Sequence, residues 1–299
     1  MNRTKRLIYL LMSLVVVLTA CRKDNNQVIK DKTMYLTLEN EDEVGIEMSG
    51  IGYVMINWGD HSAIETHHFS SEYSKYTHSY SSKSTRTITL TGRNITGLVC
   101  NKIQLTDLDV SENTALIGLF CDHNLLTSVD VSKNIALTSF SCDHNLITDL
   151  DVSKNTGLTT LWCQANLLER LEVDKNTALT KLHCGSNWLT VLDVSKNVIL
   201  RELLCSNNEI STLELNNNIS LRVLDCNNNR LEHLDMSNNT VLTSLNCSSN
   251  RLVAESLNAL FLSLHNKTVP EEKTVYISRN PGAGSCTKSL AEQRGWVVK

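Results

Sequence analysis

Between about residue 95 and residue 252 the apolar side chains return in a fixed cycle. Leu126, Val129 and Val131 lead to Asn134, and Leu137, Phe140 and Cys142 lead to Asn145. The same order comes back every 21 residues, so the unit is two half-repeats of the form L-x-x-L-x-(V/C)-x-x-N. A fixed period of this size marks a repeat architecture and takes precedence over any local reading. Val129-Asp130-Val131 and Phe140-Ser141-Cys142 alternate with period 2, the signal of a half-buried strand. Two short strands per 21-residue coil are therefore expected, with successive coils stacked as parallel strands about 4.8 Å apart.

The pattern breaks at both ends of the array. After Leu252, the spacing of Leu257, Leu260, Phe261 and Leu264 predicts an amphipathic helix. Thr274 to Ser278 reads as a strand, Asn280-Pro281-Gly282 as a turn, Ser289 to Gln293 as a short helix and Trp296 to Val298 as a final strand. Residues 253–299 are thus expected to form a C-terminal cap, which an open solenoid end requires. Ahead of the array, residues 33–94 alternate in a β-rich manner. Met34 to Leu38, Val54 to Trp58 and Arg86 to Leu90 are the strand candidates.

The first residues follow a different logic. Arg3, Lys5 and Arg6 precede an apolar run from Leu7 to Ala20, too short for a comfortable membrane span and shaped like a secretory core. It ends in Leu18-Thr19-Ala20-Cys21, which resembles a bacterial lipobox. That resemblance implies that residues 1–21 are a signal peptide and that Cys21 becomes a lipidated N-terminus. Arg22-Lys23-Asp24 resembles surface-export signals of Bacteroidetes-type lipoproteins. Residues 22–32 are polar and charged and read as a flexible tether.

Cysteine usage adds to the repeat. Eight of the ten cysteines, Cys100, Cys121, Cys142, Cys163, Cys184, Cys205, Cys226 and Cys247, keep the 21-residue step. Each falls on an inward strand position, where a small apolar side chain fits, so a buried ladder of free thiols is expected. No C-x-x-C pair occurs, which argues against a metal array. Asn124, Asn145, Asn166, Asn187, Asn208, Asn229 and Asn250 share the step and are expected to bond backbone groups at the coil corners. Cys286 has no evident role.

With its L-x-x-L-x-C-x-x-N and L-x-x-L-D-V halves, the array resembles the leucine-rich repeats, specifically the short bacterial 21-residue class called IRREKO. The resemblance covers residues 95–252 and implies a mainly β parallel-strand solenoid. The turn Asn57-Trp58-Gly59-Asp60-His61-Ser62, followed by Thr77-His78-Ser79-Tyr80, resembles the PKD-like β-sandwich domain, with a shortened spacing and His61 in place of the second glycine. That implies an N-terminal spacer or cap over residues 33–94, without catalytic machinery.

Charge narrows the function. The net charge is −4 and no basic stripe is present, which argues against nucleic acid. No catalytic or nucleotide-binding fingerprint occurs, so the expectation is not an enzyme. His61, His67, His68 and His78 with Asp60 and Glu65 lack zinc-like spacing, and no metal ligand is assigned. Asp109, Asp130, Asp151, Glu172, Asp193, Glu214 and Asp235 form one outward acidic column. A solvated ladder that discourages aggregation is the first reading, and a weak calcium surface the alternative.

The outward position before each cysteine varies along the array, reading Phe120, Ser141, Trp162, His183, Leu204, Asp225 and Asn246. Repeat proteins hold scaffold columns constant and vary exposed ones. The candidate ligand strip is therefore Phe120, Trp162, His183 and Leu204, with Trp188 beside it. The expected protein is a surface-exposed outer-membrane lipoprotein of a bacterial envelope that binds a protein partner, its only membrane contact the lipid anchor. Glycan capture for nutrient uptake and a purely structural envelope role stay open as alternatives.

Overall fold

The computed structural model describes residues 31–299 apart from residues 40, 70, 268 and 269. Cys21 and most of the tether lie outside the described residues. Strand β1 (Lys32–Leu38) opens the fold, so Asp31 and Lys32 belong to it rather than to the tether. Asp31 is fixed by Arg93 Nε at 2.6 Å and by the Tyr53 hydroxyl at 2.8 Å.

Strands β1, β2 (Glu43–Gly50), β3 (Tyr53–Asn57), β4 (Glu65–His68), β5 (Ser74–Ser79), β6 (Arg86–Gly92), β7 (Ile95–Val99) and β8 (Leu105–Asp109) form the N-terminal unit. They fall into two sheets. One runs β4-β3-β6-β1-β8. The other starts β5-β2-β7 and continues without a break into the repeats. Alternation explains the packing: Met34, Leu36 and Leu38 of β1 and Val44, Ile46 and Met48 of β2 are buried, while their neighbours face outward.

The join is made by strand pairing. β7 is antiparallel to β2 on one side and parallel to β9 (Gly118–Phe120) on the other. β8, the second half of the same first coil, pairs antiparallel with β1 in the opposite sheet. The two sides of the first coil thus extend the two sheets of the N-terminal unit.

From β9 the array runs through β10 (Ser139–Ser141), β11 (Thr160–Trp162), β12 (Lys181–His183), β13 (Glu202–Leu204), β14 (Val223–Asp225) and β15 (Ser244–Asn246). All are parallel and shifted by 21 residues, as in Phe140↔Leu161. Each of these coils has one strand, not the expected two. On the second side the Asp130 carboxylate accepts the Ser132 N–H at 2.8 Å, and the Asn134 N–H bonds the Val131 carbonyl at 3.0 Å. Those turns take up backbone groups that a second ladder would use.

The C-terminal end continues the sheet. Helix α1 (Ala254–Ser263) buries Leu257, Leu260 and Phe261 against the last coil. β16 (Lys273–Tyr276) then pairs parallel with β15, and β17 (Trp296–Val298), reached through the short α2 (Ser289–Glu292), pairs with β16. Among the described residues no helix is long and apolar enough to cross a membrane.

Candidate recognition surface

Inside the coils, every titratable or polar repeat column has a structural partner. The eight ladder cysteines are free and buried, and burial pushes each thiol up, to about 12 at Cys247. At the first corner, Asn145 Oδ1 accepts the N–H of Leu126 in the preceding coil at 3.0 Å, and its Nδ2 donates to the Cys121 and Cys142 carbonyls. Asn166, Asn187, Asn208 and Asn229 repeat this arrangement. A second asparagine column, Asn134 through Asn239, bridges carbonyls of successive coils at the other corner. Just before each first-corner asparagine stands a residue in the left-handed region. His123, His144, Ala165, Ser186, Asn207, Asn228 and Ser249 have φ of 52–56°. That conformation turns the chain from the strand to the second side.

A further side-chain ladder runs beside the cysteines. Asn101, Asp122 and Asp143 each accept the N–H of the next residue in the column, Asp122, Asp143 and Gln164. Asp122 also takes the Ser141 hydroxyl, and both carboxylates are buried. The signal available in the sequence was an acid or amide one residue after the cysteine in successive coils.

The acidic column lies outside this core. Asp109, Asp130, Asp151, Asp193 and Asp235 each accept the N–H of the serine two residues on. Those N–H groups hold the Asp130, Asp151 and Asp193 carboxyls below the usual range. Glu172, whose longer side chain replaces Asp, instead pairs with Arg170 at 2.8 Å. Among the described residues no three His, Cys, Asp or Glu side chains converge as metal ligands. In the N-terminal unit, Asp60 meets His78 at 2.8 Å while Glu65 meets His67 at 2.8 Å, so two of the four histidines go to separate carboxylates rather than to one centre.

The expected outward strip is corrected by burial. Phe120 is 1% exposed and Trp162 is 3% exposed. Phe120 is closed over by Val99 and Tyr73. Gly97 makes room for that lid, because a Cβ there would fall 2.3 Å from the Tyr73 hydroxyl. Trp162 is stacked on His183 of the next coil, ring centroids 5.5 Å apart. His183 is tied in turn to Glu202 at 2.8 Å, and Lys181 to the same carboxylate at 3.4 Å. His183 and Leu204 are half-buried. Side chains stacked coil on coil at strand spacing cover one another, so an outward direction does not guarantee exposure.

Of the five candidates only Trp188 is open, at 58%. It ends a different column. Leu125, Leu146, Leu167 and Trp188 follow the first-corner asparagines of four successive coils, and all are exposed. Beside them the imidazoles of His123 and His144 stack at 4.1 Å. The column then turns polar, with Arg230 Nη2 on Glu209 Oε1 at 2.6 Å. An apolar ridge four coils long, bounded by an ion pair, is the largest repeat-wise departure from a polar exterior on this corner.

Comparison with known proteins fits this geometry. No protein-family model matches the chain, and no curated protein matches it. Solved structures do. An internalin from Listeria monocytogenes matches at 23% identity, over 63% of this chain and 55% of that one, with a TM-score of 0.53. A leucine-rich-repeat protein of Leptospira interrogans matches at 19% identity, over 64% and 56%, with a TM-score of 0.52. The fold is that of the leucine-rich repeats. The functional domain of an internalin from Listeria monocytogenes that includes a cysteine ladder matches at 30% identity, over 66% and 52%, with a TM-score of 0.36. This leucine-rich-repeat chain spans about half the length of the solved chains it matches.

Proposed function

We propose that the protein is a non-enzymatic recognition protein, anchored at the bacterial outer membrane through lipidated Cys21, which binds a protein partner along the ridge Leu125, Leu146, Leu167 and Trp188. The observation that carries this reading is the ridge itself. Four large apolar side chains are held in register on a rigid array and left open to solvent. Burying them against a partner returns apolar area that the fold leaves exposed. Trp188, at the end of the ridge, is of a residue type enriched among the anchors of protein interfaces. The repeat groups that carry chemistry support a binding role over catalysis, since the ladder thiols are buried and the first-corner asparagines and the buried Asp122 and Asp143 carboxylates are bonded within the scaffold.

The sequence before Asp31 supports the anchor, with its lipobox-like Leu18-Thr19-Ala20-Cys21. The two-sheet N-terminal unit, with its Trp58-Gly59-Asp60 turn, is read as a PKD-like cap on the first coil of the solenoid.

The test is a binding panel of envelope and host-cell surface proteins and of glycans, presented to the full chain. A protein hit weakened at least tenfold by Trp188→Ala and by Leu146→Ser, and unchanged by His183→Ala, is expected. A hit indifferent to both ridge substitutions sinks the ridge, and a glycan hit without a protein hit sinks the partner class.

A further inference from the structure

The second corner of the coil carries its own exposed ridge, and it starts where the tether ends. Lys32 Nζ donates to Thr114 Oγ1 at 2.6 Å, and the Thr33 N–H donates to Glu112 Oε2 at 3.0 Å. Thr114 heads the column Ile135, Thr156, Thr177, Val198, Ile219 and Thr240, one residue per coil. Glu112 heads the column Lys133, Lys154, Lys175 and Lys196. Ile135, Val198, Ile199 and Ile219 are exposed, and so are all four lysines. Arg201 and Arg222 stand exposed next to the same corner.

We propose that this ridge lies on the anionic lipid surface to which Cys21 holds the protein. The proposal rests on the lipid-anchor reading given above. Three observations favour a lipid surface as the occupant. First, the described chain begins at Asp31, beside the head of the ridge. Ten chain steps lead from Cys21 to Asp31, a reach of at most about 35 Å. The ridge itself, six coil steps from Thr114 to Thr240, measures about 29 Å. The tether therefore keeps the whole ridge within reach of the bilayer, and local concentration replaces intrinsic affinity.

Second, the ridge pairs branched apolar side chains with lysines on long stems. That combination suits the headgroup layer, where aliphatic groups enter and ammonium groups reach phosphate. Third, the chain as a whole is acidic at −4, yet this corner presents one lysine in each of four consecutive coils. Lys175 is paired with Asp174 at 2.8 Å. Lys133, Lys154 and Lys196 make no ion pair within 4.0 Å among the described residues; the Asp130, Asp151 and Asp193 carboxylates, fixed by serine N–H groups, feel their charge without holding them in place. In this pose the Leu125–Trp188 ridge, on the opposite corner, faces away from the membrane toward a partner.

The experiment uses the full lipidated chain in vesicles of phosphatidylcholine and phosphatidylglycerol. An environment-sensitive fluorophore is attached at Ile219→Cys, or at Leu146→Cys as the opposite-corner control, both in a Cys286→Ser background. Nitroxide-labelled lipid is the quencher, and the mass of the N-terminal peptide reports acylation of Cys21. The expected result is quenching at position 219 several-fold above that at position 146. Reversing Lys133, Lys154, Lys175 and Lys196 together to Glu, or raising salt to about 1 M, should abolish the difference, since each lysine near such a surface is worth about fivefold in binding. Equal quenching at the two positions with Cys21 acylated overturns the proposal and leaves the anchor standing. An unmodified Cys21 overturns the anchor and the proposal with it.

Discussion

Asn145 and Leu126 tie two coils together: the Asn145 Oδ1 accepts the Leu126 N–H at 3.0 Å across the stack. The same side chain closes two carbonyls with its Nδ2. At the other corner Asn155 donates to the Val131 and Asn134 carbonyls, but its buried Oδ1 meets no donor among the described residues. The two asparagine columns are therefore unequal. Asn145→Ala orphans a buried N–H and two carbonyls and should cost about 2–4 kcal/mol, whereas Asn155→Ala should cost about 1–2 kcal/mol. Urea unfolding of the two variants side by side checks the order, and an Asn155→Ala loss equal to or above that of Asn145→Ala contradicts it.

The thiol ladder predicts a pattern of reactivity. The thiolate is the reactive form, and burial raises all eight ladder thiols. Cys286 is only partly buried. Brief treatment of the native chain with a maleimide at pH 8 should modify Cys286 far faster than any ladder cysteine, and all eight should react once the chain is denatured. Peptide mass mapping reads the sites. Rapid native labelling of Cys163 or Cys184 is the contrary result.

Ala165 sits at φ 52° with neither the glycine nor the asparagine that this region favours. The equivalent positions two and three coils on are Asn207 and Asn228. Ala165→Asn should relieve part of the left-handed penalty and stabilise the chain by up to about 1 kcal/mol. A shift of the thermal midpoint measures it, and a lowered midpoint counts against the strain argument.

In the N-terminal unit, the Ser62 hydroxyl and then His78 hold the Asp60 carboxyl far below its usual range. A carboxyl whose folded value is depressed contributes stability above its unfolded value, near pH 4, and loses it as pH falls toward the folded value. Thermal stability should therefore decline as pH drops from about 5 to about 2. Asp60→Asn should be less stable than the parent at pH 7 and should show a shallower decline, followed by near-UV circular dichroism of the buried Trp58. Parallel pH profiles for parent and variant would remove Asp60 from the account.

How much of this was legible in the sequence depends on the range of the cause. The 21-residue step of Cys100 to Cys247 fixed the coil length and the inward columns, because stacking in register repeats the same environment in every coil. The helix marked by Leu257, Leu260, Phe261 and Leu264 is α1, since its signal is local. Strand β2 leaves little trace in the sequence, as Gly45 and the glutamates Glu43 and Glu47 mask an inward set of Val44, Ile46 and Met48. The alternation Val129-Asp130-Val131 does not yield a second strand in each coil, because the Asp130 turn wins over it. Burial of Phe120 was out of reach, because its cover comes from Tyr73, placed there by a strand connection 47 residues earlier and admitted by Gly97. The open column Leu125 to Trp188 was visible as a repeat of large apolar residues. Its exposure follows from the corner geometry that the left-handed residues impose.

Both ends of the array are joined to it by the same parallel register that joins one coil to the next: Gly97 pairs with Gly118 at one end, and Ser244 with Thr274 at the other. Each cap also grips its own end coil, through Lys32 Nζ on Thr114 at one end and the Met236 N–H on Ser263 Oγ at the other. Removing or duplicating one interior 21-residue unit would therefore leave both joints chemically unchanged. The molecule behaves as a ruler, its reach adjustable by whole notches of about 4.8 Å.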